Sequence, residues 1–289
     1  MTSDINCKTV NSQLNSPLNL AVLNVCGLKT RSLYPEFQEL ISDYDMFCVA
    51  ETKLDSTDII SVNGYTFRSQ PRKRRYIRKS GGIGVFVKDS MNKYVELIET
   101  DSDYVFWLKI CKKYLKSNHD IIVGVVYVPP TQSKFFNEDE FELFQSEITK
   151  FCSEHDYVYL CGDINAQTGE LSDYTTDDEF LNRFFDFDEE TISFYDQKSM
   201  LERIGIQVPR KSMDKKKNNN GFKLIDICKN NNLTILNGRY GHDKNVGQMT
   251  FRGLSVIDYV ISSYKGLQIL SNFKITELDR LFSDGHSLL

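Results

Sequence analysis

Along this chain, apolar runs stop at single polar residues that could do chemistry. The run AVLN ends at Asn24 and FCVAE ends at Glu51. VYLCGDIN delivers Asp163 and Asn165, SVIDYV carries Asp258 inside an apolar context, and LFSDGH brings Asp284 and His286. A carboxylate beside a core strand is costly unless it is paired or holds a cation. The repetition therefore points to one shared polar centre at an edge of the fold. Asp, Glu and Asn oxygens without a Cys–His cluster are hard ligands, suited to Mg2+ (or Mn2+) and not to a structural zinc. Magnesium binds through few carboxylates and completes its shell with water and substrate phosphates, so a phosphate ester is the substrate class this set implies.

Taken singly, each residue has a plainer reading. Asn24 suits a turn before Gly27, Glu51 a loop hydrogen-bond network, and Asp163 with Asn165 an Asx turn. Asp258 could be a buried acid paired with a base, and His286 a surface histidine. Their joint occurrence, each at a strand end, favours the chemical reading.

The elements that must position them alternate along the chain. Apolar or alternating runs predict strands at 18–25, 46–51, 82–88, 105–110, 121–130, 157–163, 233–237, 255–262 and 265–276. Helical spacing appears at 31–44, with Leu33, Phe37, Leu40 and Ile41 on one side. It appears again at 138–155, with an acidic first turn, and at 221–231. Several successive strands lack a helix between them, so antiparallel pairs are required and a fully parallel sheet is excluded. The reading is an α/β (α+β) fold with two mixed sheets packed face to face and helices outside. Residues 1–17 read as a disordered lead-in, 18–289 as a single domain, and about 169–220 as a long, partly helical insertion.

The 289 residues are 40% hydrophobic and 26% charged, which excludes a disordered or collagen-like chain. A net charge of -5 argues by itself against a nucleic-acid partner, but that sum is an average. Arg68–Lys79 holds seven bases and no acid, while Glu170–Glu190 holds nine acids and one base, Arg183. Without the acidic segment the remainder carries +3. The seven cysteines are odd in number and form no CxxC pair, as expected of free thiols in a reducing compartment. The first residues lack an apolar signal core, and no apolar run approaches ~20 residues. These features predict an intracellular protein, nuclear or cytoplasmic, neither secreted nor in a membrane.

The order LNVCGL, AET, VYVPP, CGDIN, SVIDYV, SDGH resembles the endonuclease–exonuclease–phosphatase family. That family includes apurinic endonucleases and pancreatic-type DNases. The match runs over about residues 18–288. SGGIGVFVK after a basic loop, NGFKLIDICKNNNLTILNGR and SVIDYVISS are most similar to the endonuclease domains of non-LTR retrotransposons. The resemblance implies a four-layer αββα sandwich and a magnesium-dependent endonuclease that nicks a DNA duplex. It also implies a reverse transcriptase C-terminal to this chain in a full-length protein.

Carried over by motif, Glu51 is implied to be the main metal ligand, with Asn24 beside it and Asp284 near the metal. Tyr127 would bond the scissile phosphate, Asp163 would orient or deprotonate the attacking water, and Asn165 would hold a phosphate oxygen. Asp258 would fix His286, whose imidazolium would stabilise the phosphate charge. Thr250 is implied to contact a phosphate, and Ser283 is a weaker candidate. Arg72, Lys73, Arg74 and Arg75, with Tyr76, would form a DNA-contacting loop. The family motif is Ser-Asp-His, whereas here Gly285 separates Asp284 from His286. Glycine can absorb such an insertion through unusual backbone angles. Two other readings stay open: the same core acting on RNA, an inositol phosphate or a lipid headgroup, and an inactive relic or binding module.

Overall fold

Strict period-two burial along the strands builds the architecture. In strand β1 (Leu20–Asn24), Val22 faces one apolar cluster while Ala21 and Leu23 face another. In β2 (Met46–Ala50), Met46, Cys48 and Ala50 join the first cluster, and Phe47 and Val49 the second. Across the molecule, β6 (Val105–Ile110) turns Phe106, Leu108 and Ile110 to the first cluster and Val105 and Trp107 to a third. Alternation with both faces buried requires apolar layers above and below each sheet.

The computed structural model describes residues 17–71, 80–175 and 196–289. One sheet has four strands in the order β1-β2-β4-β3, with β3 Tyr65–Gln70 and β4 Ile83–Lys88. The other has six in the order β5-β6-β7-β8-β10-β9. Its remaining strands are β5 Val95–Ile98, β7 Ile121–Tyr127, β8 Val158–Asp163, β9 Leu233–Ile235 and β10 Asp258–Ser263. Both sheets are mixed: β1–β2 and β7–β8 run parallel and the other neighbours antiparallel.

The first cluster fills the space between the sheets. Helix Pro35–Ser42 covers the outer face of the four-stranded sheet with Phe37 and Ile41. Helices Glu138–Glu154 and Asn219–Asn230 cover the six-stranded sheet. The longer one starts where Asn137 accepts from the Asp139 and Glu140 amides, and it buries Phe141, Phe144, Ile148 and Phe151 along one stripe. The arrangement is the α/β/β/α sandwich expected.

Several elements differ from the sequence reading. Residues 265–276 are not a strand. Ser263 caps a short helix, Tyr264–Ile269, by accepting from the Gly266 amide, and a stretch this short is ambiguous between strand and helix. The helix expected from residue 31 begins at Pro35, which lacks an N–H and suits a first turn. Leu33 precedes it and is exposed. Strands β3 and β5 were not anticipated, since neither is a long apolar run. The described part of the expected insertion is packed: Leu201 and Val208 belong to the inter-sheet cluster, and helix Gln197–Arg203 lies in it. Residues 1–16, the loop 72–79 with Arg72, Lys73, Arg74, Arg75 and Tyr76, and the acidic stretch 176–195 lie outside the described residues. The six described cysteines are free. Among the described residues no helix is long and apolar enough to cross a membrane.

One packing contact is unusually close. Trp107 packs against β7 at Gly124, where a Cβ would stand 2.7 Å from the indole ring and 2.8 Å from Leu160 Cδ2, and the indole Nε1 donates to Glu147 at 2.8 Å. Gly124→Ala should therefore destabilise the fold by about 1–3 kcal/mol through overpacking, read as a lower urea midpoint with unchanged slope. A midpoint equal to wild type would show that the indole has room to move.

Candidate active site

The strand ends converge. Tyr127, Asp163 and Asp258 sit side by side in one row across β7, β8 and β10, because Tyr127 pairs with Asp163 and Asp163 with Asp258 in the sheet register. Gly162 makes this row possible: its φ is 142°, and a Cβ there would stand 2.0 Å from the Val126 carbonyl oxygen. From the other sheet, Asn24 ends β1 and Glu51 follows β2.

His286 arrives last, on a segment clipped to β1. Val22 and Leu289 exchange backbone hydrogen bonds at 3.1 Å, and Ser287 donates to the Thr250 carbonyl at 2.7 Å. Gly285 takes a φ of 105°, the positive backbone angle that lets glycine accommodate the extra residue.

Asn24 joins the two halves. Its Nδ2 donates to Asp163 Oδ2 at 2.8 Å and to Glu51 Oε2 at 3.2 Å. Its Oδ1 accepts from the Cys26 amide at 2.9 Å, which fixes the amide orientation. Asn24 thus turns a donor, not a ligand oxygen, toward the carboxylates. Glu51 holds a left-handed backbone (φ 55°), a conformation costing a non-glycine residue about 1–3 kcal/mol. The neighbouring backbone keeps it there: Gly27 donates to the Glu51 carbonyl at 2.8 Å, and Thr52 to Gly82 at 3.0 Å.

Asp258 and His286 form a buried dyad. The imidazole Nδ1 lies 3.0 Å from both Asp258 oxygens. Burial pulls the imidazole pKa down, but the charge and hydrogen bond of Asp258, with smaller help from Asp163 and Glu51, outweigh it and raise it to about 9. The ring is therefore an imidazolium near neutral pH. Asp163 moves the same way, pushed up to about 8 by burial and by the Asp258 charge, against the pull of His286 and of its bonds from Asn24 and the Asn165 amide. Ser283 ties the two sides together: its hydroxyl donates to the Asn24 carbonyl at 2.7 Å and accepts from the His286 amide at 3.0 Å.

Which of these groups fit a metal follows from their protons. Asp163, Asp258 and His286 each bring a ligand atom within 4.8 Å of the others. However, Nδ1 is committed to Asp258, and a protonated imidazole has no lone pair to give. Glu51 is the better donor. It is a hard oxygen at the cleft edge, and Lys53 Nζ already rests 3.1 Å from its Oε1, so this position accepts a cation. The donor set suits Mg2+ or Mn2+.

Other expected site residues sit differently. Thr250 is fully buried. Its Oγ1 accepts from the Ile257 and Asp258 amides, both at 3.0 Å, so it holds the start of β10 and aims Asp258. The Asp284 carboxylate meets Arg252 at 2.5 Å and is half-exposed. Asn165 donates from its side chain to the Val128 carbonyl at 2.9 Å and has a left-handed φ of 50°. Tyr127 is nearly buried at the end of β7, with its amide bonded to Tyr104. Lys53 was missed. Its signal was a base two places after Glu51, and it also contacts Cys26 Sγ at 3.1 Å.

No protein-family model matches this chain, and no curated protein matches it in sequence. Solved structures do match in fold. The catalytic domain of Xenopus laevis APE2 has a TM-score of 0.58 at 14% identity, over 94% of this chain and 90% of that one. The 3'-5' exonuclease NExo from Neisseria meningitidis has 0.57 at 15%, over 94% and 97%. The endonuclease domain of TRAS1, a telomere-specific non-LTR retrotransposon, has 0.55 at 13%, over 94% and 96%. The chain has the DNase I-like fold of the endonuclease–exonuclease–phosphatase structures.

Two outcomes are expected. Thr250→Val leaves two buried amides without an acceptor, so it should lower stability by about 1–3 kcal/mol, whereas Thr250→Ser should stay near wild type in urea denaturation. Equal losses would show that the methyl group, not the hydroxyl, matters. The second outcome concerns pH in the chelated protein. An unfolded imidazole releases its proton near about 6.5, but folded His286 keeps it to about 9. Its contribution is complete below the unfolded value and lost as pH rises through the folded one. Asp163, protonated up to about 8 in the fold, also makes the folded chain the better proton binder. The melting temperature should fall between roughly pH 6 and pH 9, and His286→Asn should flatten the decline. A melting temperature rising over that range would refute the dyad assignment.

Proposed function

We propose that this chain hydrolyses phosphodiesters, and that its substrate is duplex DNA, which it nicks in the manner of a retrotransposon endonuclease. The observation that carries the reading is the buried Asp258–His286 pair beside Asp163, joined to Glu51 through Asn24. Phosphodiester hydrolysis needs an in-line water, neutralised phosphoryl oxygens and an assisted leaving group. The water and the phosphoryl oxygens each have a residue, and a divalent ion held at Glu51 would assist the leaving oxygen.

Asp163 sits at the cleft with Oδ2 held by Asn24, where its ionised form would orient or deprotonate the attacking water. His286, held as an imidazolium by Asp258, presents Nε2 to a phosphoryl oxygen. Asn165 and Tyr127 flank the phosphate. Glu51 would hold the Mg2+ (or Mn2+), with Lys53 giving up its place, and Asp284 could join only by leaving Arg252. A bound divalent ion supplies positive charge to the phosphoryl oxygens.

The fold neighbours support a DNA substrate. One is described as a 3' phosphatase bound to a product DNA hairpin, and another as a retrotransposon endonuclease domain. The former favours a second reading, hydrolysis at a 3' end in place of internal nicking. The basic loop with Arg72, Lys73, Arg74 and Arg75 is proposed to contact the DNA backbone, which a positive remainder outside the acidic segment favours. A reverse transcriptase domain following in a longer chain belongs to the same reading.

The test is nicking of supercoiled plasmid, beside release from a 3'-phosphorylated duplex. Nicking should vanish with chelator and return with Mg2+ or Mn2+. Glu51→Ala, Asp163→Ala and His286→Ala should each lower it about 100-fold or more while circular dichroism stays unchanged. Alanine at Arg72–Arg75 should flatten the salt dependence of DNA binding. Full activity in the Glu51 or His286 variant would sink the assignment, and release at 3' ends without nicking would favour the second reading.

A further inference from the structure

Asp258 holds the His286 imidazole at Nδ1, but the turn that carries the imidazole also needs holding. It has one residue more than the family motif, Gly285, between Asp284 and His286. The ends of this turn are fixed. Ser283 and His286 are both buried, and the His286 amide donates to the Ser283 hydroxyl at 3.0 Å. The middle faces outward: the Asp284 side chain is half-exposed, and Gly285 takes a φ of 105°. Glycine reaches many backbone conformations at little cost. An extra glycine directly before His286 therefore loosens the imidazole unless another segment closes on the turn.

Arg252 closes on it. Its amide donates to the Gly285 carbonyl at 2.7 Å, its Nε to the Asp284 carbonyl at 2.9 Å, and its Nη2 to the Asp284 carboxylate at 2.5 Å. Its alkyl stem lies against the glycine, where a Cβ on Gly285 would stand 2.6 Å from Arg252 Cγ. Arg252 itself holds a left-handed φ of 52°, a conformation that a residue with a side chain keeps only where its surroundings compel it.

The neighbouring residue carries the brace to the imidazole. Phe251 pairs with His286 in an antiparallel bridge, which the Arg252–Gly285 bond flanks on one side and the Ser287–Thr250 bond on the other. Residues paired in this way set their side chains next to each other. The phenyl and imidazole centroids lie 4.5 Å apart, and the Arg252 guanidinium carbon lies 4.8 Å from the same phenyl centroid.

We infer that Arg252 is a positioning residue for His286: it locks the inserted glycine and, through Phe251, sets the face of the imidazole. The inference rests on the phosphodiesterase reading above. An exposed ion pair adds little to stability, and the Arg252 side chain is 44% exposed. What its planar fork adds is direction, because it grips a carbonyl and a carboxylate of one residue together. Its effect therefore falls on where Nε2 points and not on whether the chain folds.

The experiment pairs nicking kinetics of the full chain with proton NMR of its histidine rings, in chelator and at one neutral pH. Four histidines give few ring signals, and those of His286 are the ones missing from His286→Ala. Arg252→Ala should keep the wild-type circular dichroism, lower kcat by about 10- to 100-fold at unchanged KM, and move the His286 signals toward those of a free histidine as the ring leaves the phenyl. In a His286→Ala background the same substitution should cost nothing further. Arg252→Lys keeps the charge without the fork, so it should stay closer to alanine than to wild type. Unmoved ring signals in Arg252→Ala would overturn the inference. So would a raised KM at unchanged kcat, or full recovery in Arg252→Lys, since either puts the arginine on the DNA. The ring signals need no substrate: a wild type that nicks nothing defeats the proposed function, while the signals still decide this inference. Should Arg252→Ala fail to fold, unmoved signals in Arg252→Lys would overturn it equally.

Discussion

Two carboxylates brought together across the seam between two sheets repel one another, and in this molecule a single amide stands between them. Asn24 gives its two Nδ2 hydrogens to Asp163 and Glu51 while its oxygen is pinned by the Cys26 amide. The backbone that follows β1 must turn sharply to allow this, and Cys26 takes a left-handed φ of 46°. Much of the surrounding structure serves that contact. The parallel pairing of β1 with β2 sets Asn24 beside Ala50, one residue before Glu51. The strand row on the opposite sheet sets Asp163 against Asp258. Ser283 then fastens the Asn24 carbonyl to the segment bearing His286. Local backbone strain is retained because packed sheets on both sides overdetermine it.

The same seam explains the proton affinities. An Asp facing another Asp in a dry cleft would rather be neutral, and an imidazole between them would rather be charged. The cluster settles with positive charge on His286 and with the cations of Lys53 and the imidazolium on opposite flanks. In the proposed reaction a phosphodiester entering there would meet donors and positive charge.

How much of this was legible beforehand depended on whether the signal was local. Alternation of apolar residues is local, so β1, β2, β6, β7 and β8 could be read directly, and so could the polar residue at each strand end. The helix Glu138–Glu154 announced itself by Asn137 and its acidic first turn. What could not be read was the direction of a side chain set by distant turns. Thr250 is buried because the backbone closes a tight loop, with Phe251 bridging Ser255 on one side and His286 on the other. Asp284 meets Arg252 because that same loop carries the arginine beside it. Lys53 faces Glu51 only because both residues take left-handed angles.

The clip that holds His286 has a consequence for the order of assembly. Asn24 and Glu51 come from the start of the chain, Asp163 from its middle, and the imidazole from residue 286, whose segment docks onto β1 through Val22 and Leu289. Contacts that close over so long a stretch of sequence slow folding. A chain synthesised only as far as Asp258 has its acids in hand but no imidazolium. The cleft is therefore incomplete until that last segment docks, and the Val22–Leu289 contacts are what keep the imidazole in it.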